Sequence, residues 1–268
     1  SLARWHSSCD LWSLVSLSLM QQQPLIVFDS GIGGLSILRA IMESEIRSPI
    51  LYLADQANFP YGNKDESWIE SRLIQVANWA RSREPLAVII ACNTATVNGI
   101  EKFRTLLDCP VVGVEPIIKP LAQFDHPLLL ATSGTLDADR TQDLLTTHNP
   151  SISTLCPSGL VQAIEDMDQE TVKKIIHTLA PVIKEHHIDS IGLSCTHYPL
   201  VKDLFRNQYP DLTLLDPARA VVKRLLSLFP SHKTFASLEF LTTGNPQTLQ
   251  NQVKYYLNIG VQTNKVSL

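Results

Sequence analysis

The sequence predicts a two-lobed α/β protein, each lobe a mostly parallel sheet flanked by helices, with the functional site in the cleft between lobes related by an approximate twofold. Three observations carry this. The chain has 268 residues, closer to two compact units than one at roughly 150 residues per domain. Short continuous apolar runs alternate with helical patterns, as in parallel sheets covered on both faces. A set of loop motifs occurs twice, in the same order and at a nearly constant offset.

The elements follow in order. Leu25-Ile26-Val27-Phe28 is a buried strand that stops at Asp29-Ser30-Gly31-Ile32-Gly33-Gly34, and a helical pattern runs from Leu35 to about Ile46. Pro49 to Ala54 forms the next strand. Ile69, Leu73, Val76, Ala77 and Ala80 recur at helical spacing and make Asp65 to Arg83 an amphipathic helix. Leu86 to Ala91, Val111 to Val114, Leu128 to Ala131, Ile188 to Leu193 and Leu212 to Leu215 supply the remaining strands. Pro181 is expected to kink or split a helix from about Glu170 to His186. Each strand ends in a small or polar loop, and open α/β sheets bind ligands beyond their carboxyl ends.

The repetition is specific. Ser30-Gly31 recurs as Ser133-Gly134 and Cys92 as Cys195, both 103 residues on. Pro60-Tyr61-Gly62 has a counterpart in Pro157-Ser158-Gly159 at 97, and Glu115-Pro116 in Asp216-Pro217 at 101. Reuse of Gly and Pro at α/β loops is the plainer explanation of any one match; four in order within six residues of one offset favour an internal duplication.

Composition removes several classes. Hydrophobic residues are 44% and charged residues 18% of the chain, which excludes disorder or a coiled coil. The net charge is −4, and the basic residues form no run, so a nucleic-acid groove is not expected. No apolar stretch reaches the roughly 20 residues that cross a bilayer. The five cysteines are Cys9, Cys92, Cys109, Cys156 and Cys195, an odd number with no Cys-x-x-Cys pair. Reduced thiols in a cytoplasmic protein fit this better than secreted disulfides. Cys109 and Cys156 are read as structural. The histidines lack ligand spacing, so no metal is expected, and Ser36 replaces the third glycine of a dinucleotide fingerprint. Residues 1 to 19 read as a leader or expression remnant ahead of Met20; a signal peptide is disfavoured by the missing cleavage site, and a regulatory extension remains open.

If the duplication holds, Cys92 and Cys195 approach one small ligand from opposite sides. Paired thiols can remove a proton from one face of a carbon and return it to the other, so such a site suits a racemase. Each proton transfer contributes on the order of 10²- to 10⁴-fold in rate. Asp29 and His197 are the expected orienting or proton-relaying partners, one beside each cysteine. The glycine loop after Asp29 is expected to offer backbone donors to a carboxylate, while Ser30, Asn93, Thr94 and Thr196 hold the amino group and second carboxylate.

Asp29-Ser30-Gly31-Ile32-Gly33-Gly34-Leu35, Pro60-Tyr61-Gly62, Ala91-Cys92-Asn93-Thr94-Ala95 and Cys195-Thr196-His197-Tyr198-Pro199-Leu200 together resemble the glutamate racemases over about Pro24 to the Asp216 region. The resemblance implies a cofactor-independent enzyme that makes D-glutamate for peptidoglycan, with two α/β lobes closing over the substrate. It implies that Cys92 acts on D-glutamate and Cys195 on L-glutamate. Asp29-Ser30, Tyr61-Gly62, Asn93-Thr94 and Thr196-His197 would bind substrate. It also implies a C-terminal segment that returns to the first lobe, so that residues 24–115 and 227–268 form one lobe and 116–226 the other. Some members sense a cell-wall precursor through an N-terminal extension, so such an activator is an expectation here, as is a homodimer. Ala138 and Thr141 stand where the family usually has Ser and Tyr, and Cys156-Pro157-Ser158-Gly159 looks one residue longer than usual ahead of Glu165. The alternatives are an aspartate or broad acidic amino-acid racemase, a bilobed binding protein without turnover, and a single-thiol hydrolase.

Overall fold

The computed structural model describes residues 23–46, 48–229 and 237–268; the expectation for residues 1 to 19 lies outside them. Among the described residues, ten strands form two sheets. The first contains β1 (Leu25–Asp29), β2 (Ile50–Ala54), β3 (Ala87–Ile90) and β4 (Val111–Gly113). The second contains β5 (Pro127–Leu130), β6 (Ser153–Leu155), β7 (Ser190–Leu193) and β8 (Thr213–Leu215). The chain then returns to the first sheet as β9 (Leu238–Thr242) and β10 (Thr263–Lys265).

Strand orders are β10-β9-β2-β1-β3-β4 and β6-β5-β7-β8, with every pairing parallel. With β9 and β10 set aside, the two orders match strand for strand, as the repeated motifs imply. The central strands β1, β3, β5 and β7 are buried at every residue, because helices cover both faces and leave no polar face to present to water.

The helix Glu66–Arg81 starts at Asp65, whose carboxylate accepts from the Trp68 amide at 2.7 Å and so satisfies one of the unpaired donors of the first turn. Near Pro181 the chain forms two helices, Gln169–His177 and Ala180–Glu185, with proline in the first turn of the second, where its missing N–H costs nothing. The helix Ala218–Leu228 packs back against the helix Leu35–Glu43 and β4.

This order creates one switch point per sheet, at β1/β3 and at β5/β7. There the chain leaves neighbouring strands in opposite directions, and a crevice opens beyond their carboxyl ends. Asp29 ends β1 with Ser30 after it, and Cys92 follows β3; Thr132 and Cys195 follow β5 and β7. The two crevices face each other.

Candidate active site

A cavity of about 290 Å³ opens between the sheets, lined by Ser30, Tyr61, Gly62, Cys92, Asn93, Thr94, Thr132, Cys156, Cys195, Thr196, His197 and Tyr198 among others. Its size is near the lower end for small-molecule sites, roughly 300–1,000 Å³. Both sulfurs at the repeated strand ends therefore reach one cleft.

Their surroundings differ. Cys92 is the N-cap of the helix Asn93–Arg104; its sulfur accepts from the Ala95 amide at 3.5 Å and lies 3.6 Å from the Ser30 hydroxyl. Burial, reinforced by the nearby Asp29 charge, pushes this thiol up to about 12, against the amide and hydroxyl contacts that favour thiolate. Cys92 therefore rests as a protonated thiol at neutral pH. Its alkylation by iodoacetamide, followed by peptide mass mapping, is expected to rise throughout the alkaline range without levelling off below pH 10. A plateau near pH 8 would contradict this environment. The sign for stability follows from the same shift. An unfolded thiol ionises near pH 8.5, so the contribution is complete below that pH and is lost as pH rises toward 12.

Cys195 has a different partner. Its sulfur lies 3.7 Å from His197 Nδ1, and His197 Nε2 is 2.8 Å from Glu165 Oε1. Burial alone would lower the imidazole's pKa; the hydrogen bonds and charges of Cys195 and Glu165 outweigh it and hold the ring well above its ordinary value. An imidazolium thus sits beside the second sulfur, its charge balanced by a buried carboxylate. In that state both ring nitrogens donate.

Asp29 closes the floor of the site. Its side chain accepts from the Gly31 amide at 2.8 Å and from the Thr196 hydroxyl at 2.9 Å, which joins the two strand-end loops. Burial raises its pKa, opposed mainly by the His197 charge. Thr94 meets Thr132 and Thr135 at 2.9 and 3.0 Å, a second hydroxyl contact between the sheets. Asn93 donates through Nδ2 to the Val114 carbonyl at 2.8 Å, while its Oδ1 is buried without a partner. Gly62 lines the cleft, and its carbonyl accepts from Ser133 Oγ at 3.2 Å.

Two sequence expectations are corrected, for the glycine loop and for Cys156, and the structure adds a partner for Tyr61. The amides of Gly31 and Ile32 donate to Asp29 (2.8 Å) and Glu165 (2.6 Å), so these two loop donors serve carboxylates of the chain itself. The Tyr61 hydroxyl donates to Asp55 Oδ2 at 2.5 Å, and Asp55 is also paired with Arg72 at 2.7 Å. Tyr61 thus lines the cleft with its phenol oxygen committed elsewhere. Cys156, read as structural, is exposed and lines the cleft, whereas Cys109 is half-buried away from it.

The residue missed outright is Glu165, which ties the glycine loop to His197. A Cβ on Gly31 would fall 1.8 Å from Glu165 Oε1, and one on Gly33 would fall 2.4 Å from Thr196 Oγ1, so glycine there permits the close approach. Helical spacing did not signal it: Leu160, Ala163 and Ile164 mark the buried face, and Glu165, five residues after Leu160, projects from another side of the helix.

Comparison with known proteins agrees with this arrangement. The Asp/Glu/Hydantoin racemase family model matches residues 36–225. A glutamate racemase of Cupriavidus pinatubonensis is 33% identical over 260 residues, covering 91% of this chain and 95% of that protein. One from Pseudomonas syringae pv. tomato is 36% identical over 224 residues, covering 80% and 81%. A crystal structure of Escherichia coli glutamate racemase with L-glutamate and the activator UDP-MurNAc-ala superposes with a TM-score of 0.78 at 27% identity, covering 91% of this chain and 98% of that one. With its matching sheets and strand-end motifs, the chain belongs to the Asp/Glu racemase family of isomerases, among the glutamate racemases.

Proposed function

We propose that the chain interconverts L- and D-glutamate by a two-base mechanism, with one thiol working on each face of the α-carbon. The carrying observation is the pair of sulfurs at the repeated strand ends of opposed sheets, lining one cleft and each provided with its own partners. Their surroundings are complementary, a protonated thiol at Cys92 and an imidazolium beside the Cys195 sulfur. With L-glutamate, the Cys195 sulfur beside the His197 imidazolium takes the α-proton, and the protonated Cys92 delivers its own to the opposite face. D-glutamate uses the reverse protonation state, with Cys92 as base and Cys195 as acid. The proton-transfer partners Ser30 and His197 stay with their own sulfurs throughout.

The unpaired Asn93 Oδ1 is assigned to the substrate ammonium, since a buried acceptor is strongly favoured to find a donor. Ser30, Thr94 and Thr196 offer hydroxyls around it, with backbone at Tyr61 and Gly62. Asp29 holds Thr196 and balances His197. The lobes are assigned as 24–115 with 227–268, and 116–226; the helix Ala218–Leu228 straddles the second boundary and packs on the first lobe.

The biological role assigned is supply of D-glutamate for peptidoglycan, in the cytoplasm. Among the described residues no helix is long and apolar enough to cross a membrane. Regulation by a cell-wall precursor is proposed with it, supported by the UDP-MurNAc-ala held by the Escherichia coli relative. Incubation with L-glutamate followed by chiral chromatography is expected to yield D-glutamate, at a much higher rate than L-aspartate yields its enantiomer. No D-glutamate would overturn the reading; faster turnover of aspartate would replace glutamate as the substrate.

A further inference from the structure

The short helix Leu160–Glu165 ends against a helix from the far end of the sequence, Pro246–Leu257. A helix leaves its last carbonyls without intrahelical donors. Here two residues of the C-terminal helix, one turn apart, contact two of these carbonyls: Tyr256 donates to Ile164 O at 2.6 Å, and Gln252 Nε2 to Glu165 O at 2.7 Å. The spacing i, i+4 places both on one helix face.

Gln252 does more than cap. It is 2% exposed, and Nε2 also donates to Glu165 Oε2 at 3.0 Å. Its Oε1 accepts from Gln56 Nε2 at 2.7 Å, and Gln56 Oε1 accepts from Thr242 Oγ1 at 3.0 Å. A chain of hydrogen bonds thus runs from Thr242 at the end of β9 through Gln56 and Gln252 to Glu165. Glu165 Oε1 then receives the Ile32 amide and faces His197 Nε2, and His197 Nδ1 faces the Cys195 sulfur. With Oε2 held by Gln252 at 3.0 Å and, at a longer 3.4 Å, by Gln56 Nε2, the carboxylate has one orientation in which Oε1 can serve both partners.

We propose that Gln252 is a positioning residue for the Cys195 side of the reaction, setting the Glu165 carboxylate that orients His197. The C-terminal segment is thereby part of the working site although Gln252 does not line the cleft. The inference rests on the proposed two-base racemisation. It accounts for a buried primary amide at a helix position where an apolar residue would otherwise fill the space, and for donor and acceptor both being used. Among the described residues no corresponding chain serves Cys92, so the two faces are supported unequally.

The test compares full-length wild type, Gln252→Met and Thr242→Val in both directions, with α-protiated and α-deuterated L- and D-glutamate. Gln252→Met keeps the length and removes the hydrogen bonds; Thr242→Val is isosteric and removes the outermost link. Misplacement of a reacting group by about 1 Å can cost on the order of 10²-fold in rate. Gln252→Met is therefore expected to lose about ten- to a hundredfold in kcat, with KM changed less than about threefold. Its isotope effect is expected to grow for α-deuterated L-glutamate, whose proton Cys195 removes, and not for α-deuterated D-glutamate. Thr242→Val should show the same pattern, smaller, and reads the effect even if Gln252→Met does not fold. Wild-type kcat in the folded variants overturns the inference, as does a loss that leaves the isotope effects equal for the two isomers, the mark of a merely structural role. Absence of racemisation by the wild type would instead count against the proposed function.

Discussion

Cys92→Ala and Cys195→Ala each lose about 10⁴-fold in racemisation rate, the upper end of what one positioned acid or base contributes, measured as D-glutamate formed from L-glutamate by chiral chromatography. The size of the effect follows from complementary roles. Each turnover needs one sulfur to take a proton and the other to give one, so removing either stops the cycle in both directions. Both sulfurs sit at strand ends whose backbone is held by the parallel ladder, and alanine fits the space they leave. Melting temperatures within a few degrees of wild type are therefore expected, which separates loss of chemistry from loss of fold. The double variant should be no worse than either single one, because groups that act as a unit are not additive. Near-wild-type turnover in either single variant would contradict the two-thiol mechanism.

Glu165→Gln lowers turnover by about 10²-fold and moves the alkaline limb of the pH profile to lower pH. The substitution keeps an acceptor for the Ile32 amide and removes the negative charge 2.8 Å from His197 Nε2. Burial disfavours the imidazolium, and the hydrogen bonds and charges of Cys195 and Glu165 hold it well above the ordinary histidine value. Without the Glu165 charge the burial cost is less well opposed, so the folded-state pKa falls and the cation is lost at lower pH. The other groups facing this ring are Cys195 and the Asp29 carboxyl, and both are retained in the variant. Stability moves the same way. In the wild type the raised pKa contributes stability fully below about pH 6.5 and loses it as pH rises through the folded-state value. That window should narrow in Glu165→Gln. An unshifted alkaline limb would remove Glu165 from control of His197.

How much of this could be read beforehand depended on whether a feature is written locally in the chain. The central strands were legible because burial on both faces demands unbroken apolar runs, as in Leu25 to Phe28 and Leu86 to Ala91. β6 was not: it is a three-residue edge strand with Thr154 exposed, so it carries neither an apolar run nor a clear alternation. β9 and β10 were missed for a related reason. Leu238–Thr242 contains Glu239, and Thr263–Lys265 is polar throughout; these strands exist because an exposed sheet edge was there to pair with.

In the site, the cysteines, Asp29 and His197 were legible because they end strands, and strand ends converge in this topology. Glu165 was not, since its partner Ile32 lies 133 residues away and the contact depends on how the two sheets close. Tyr61 shows the converse. Its position at the cleft was foreseen, but the direction of its hydroxyl is decided by the Asp55–Arg72 pair, which no local pattern announces. Cys156 directly follows β6, the strand that was not legible, so its place at the cleft was not foreseen.

The most direct test is racemisation of protiated L-glutamate in deuterium oxide, stopped at low conversion and analysed for isotope in each enantiomer. Two sulfurs on opposite faces predict that newly formed D-glutamate carries deuterium at the α-carbon while the remaining L-glutamate keeps hydrogen. Product that retains the substrate's own α-proton would mean that a single group carries it from face to face, contrary to a site built on two opposed thiols.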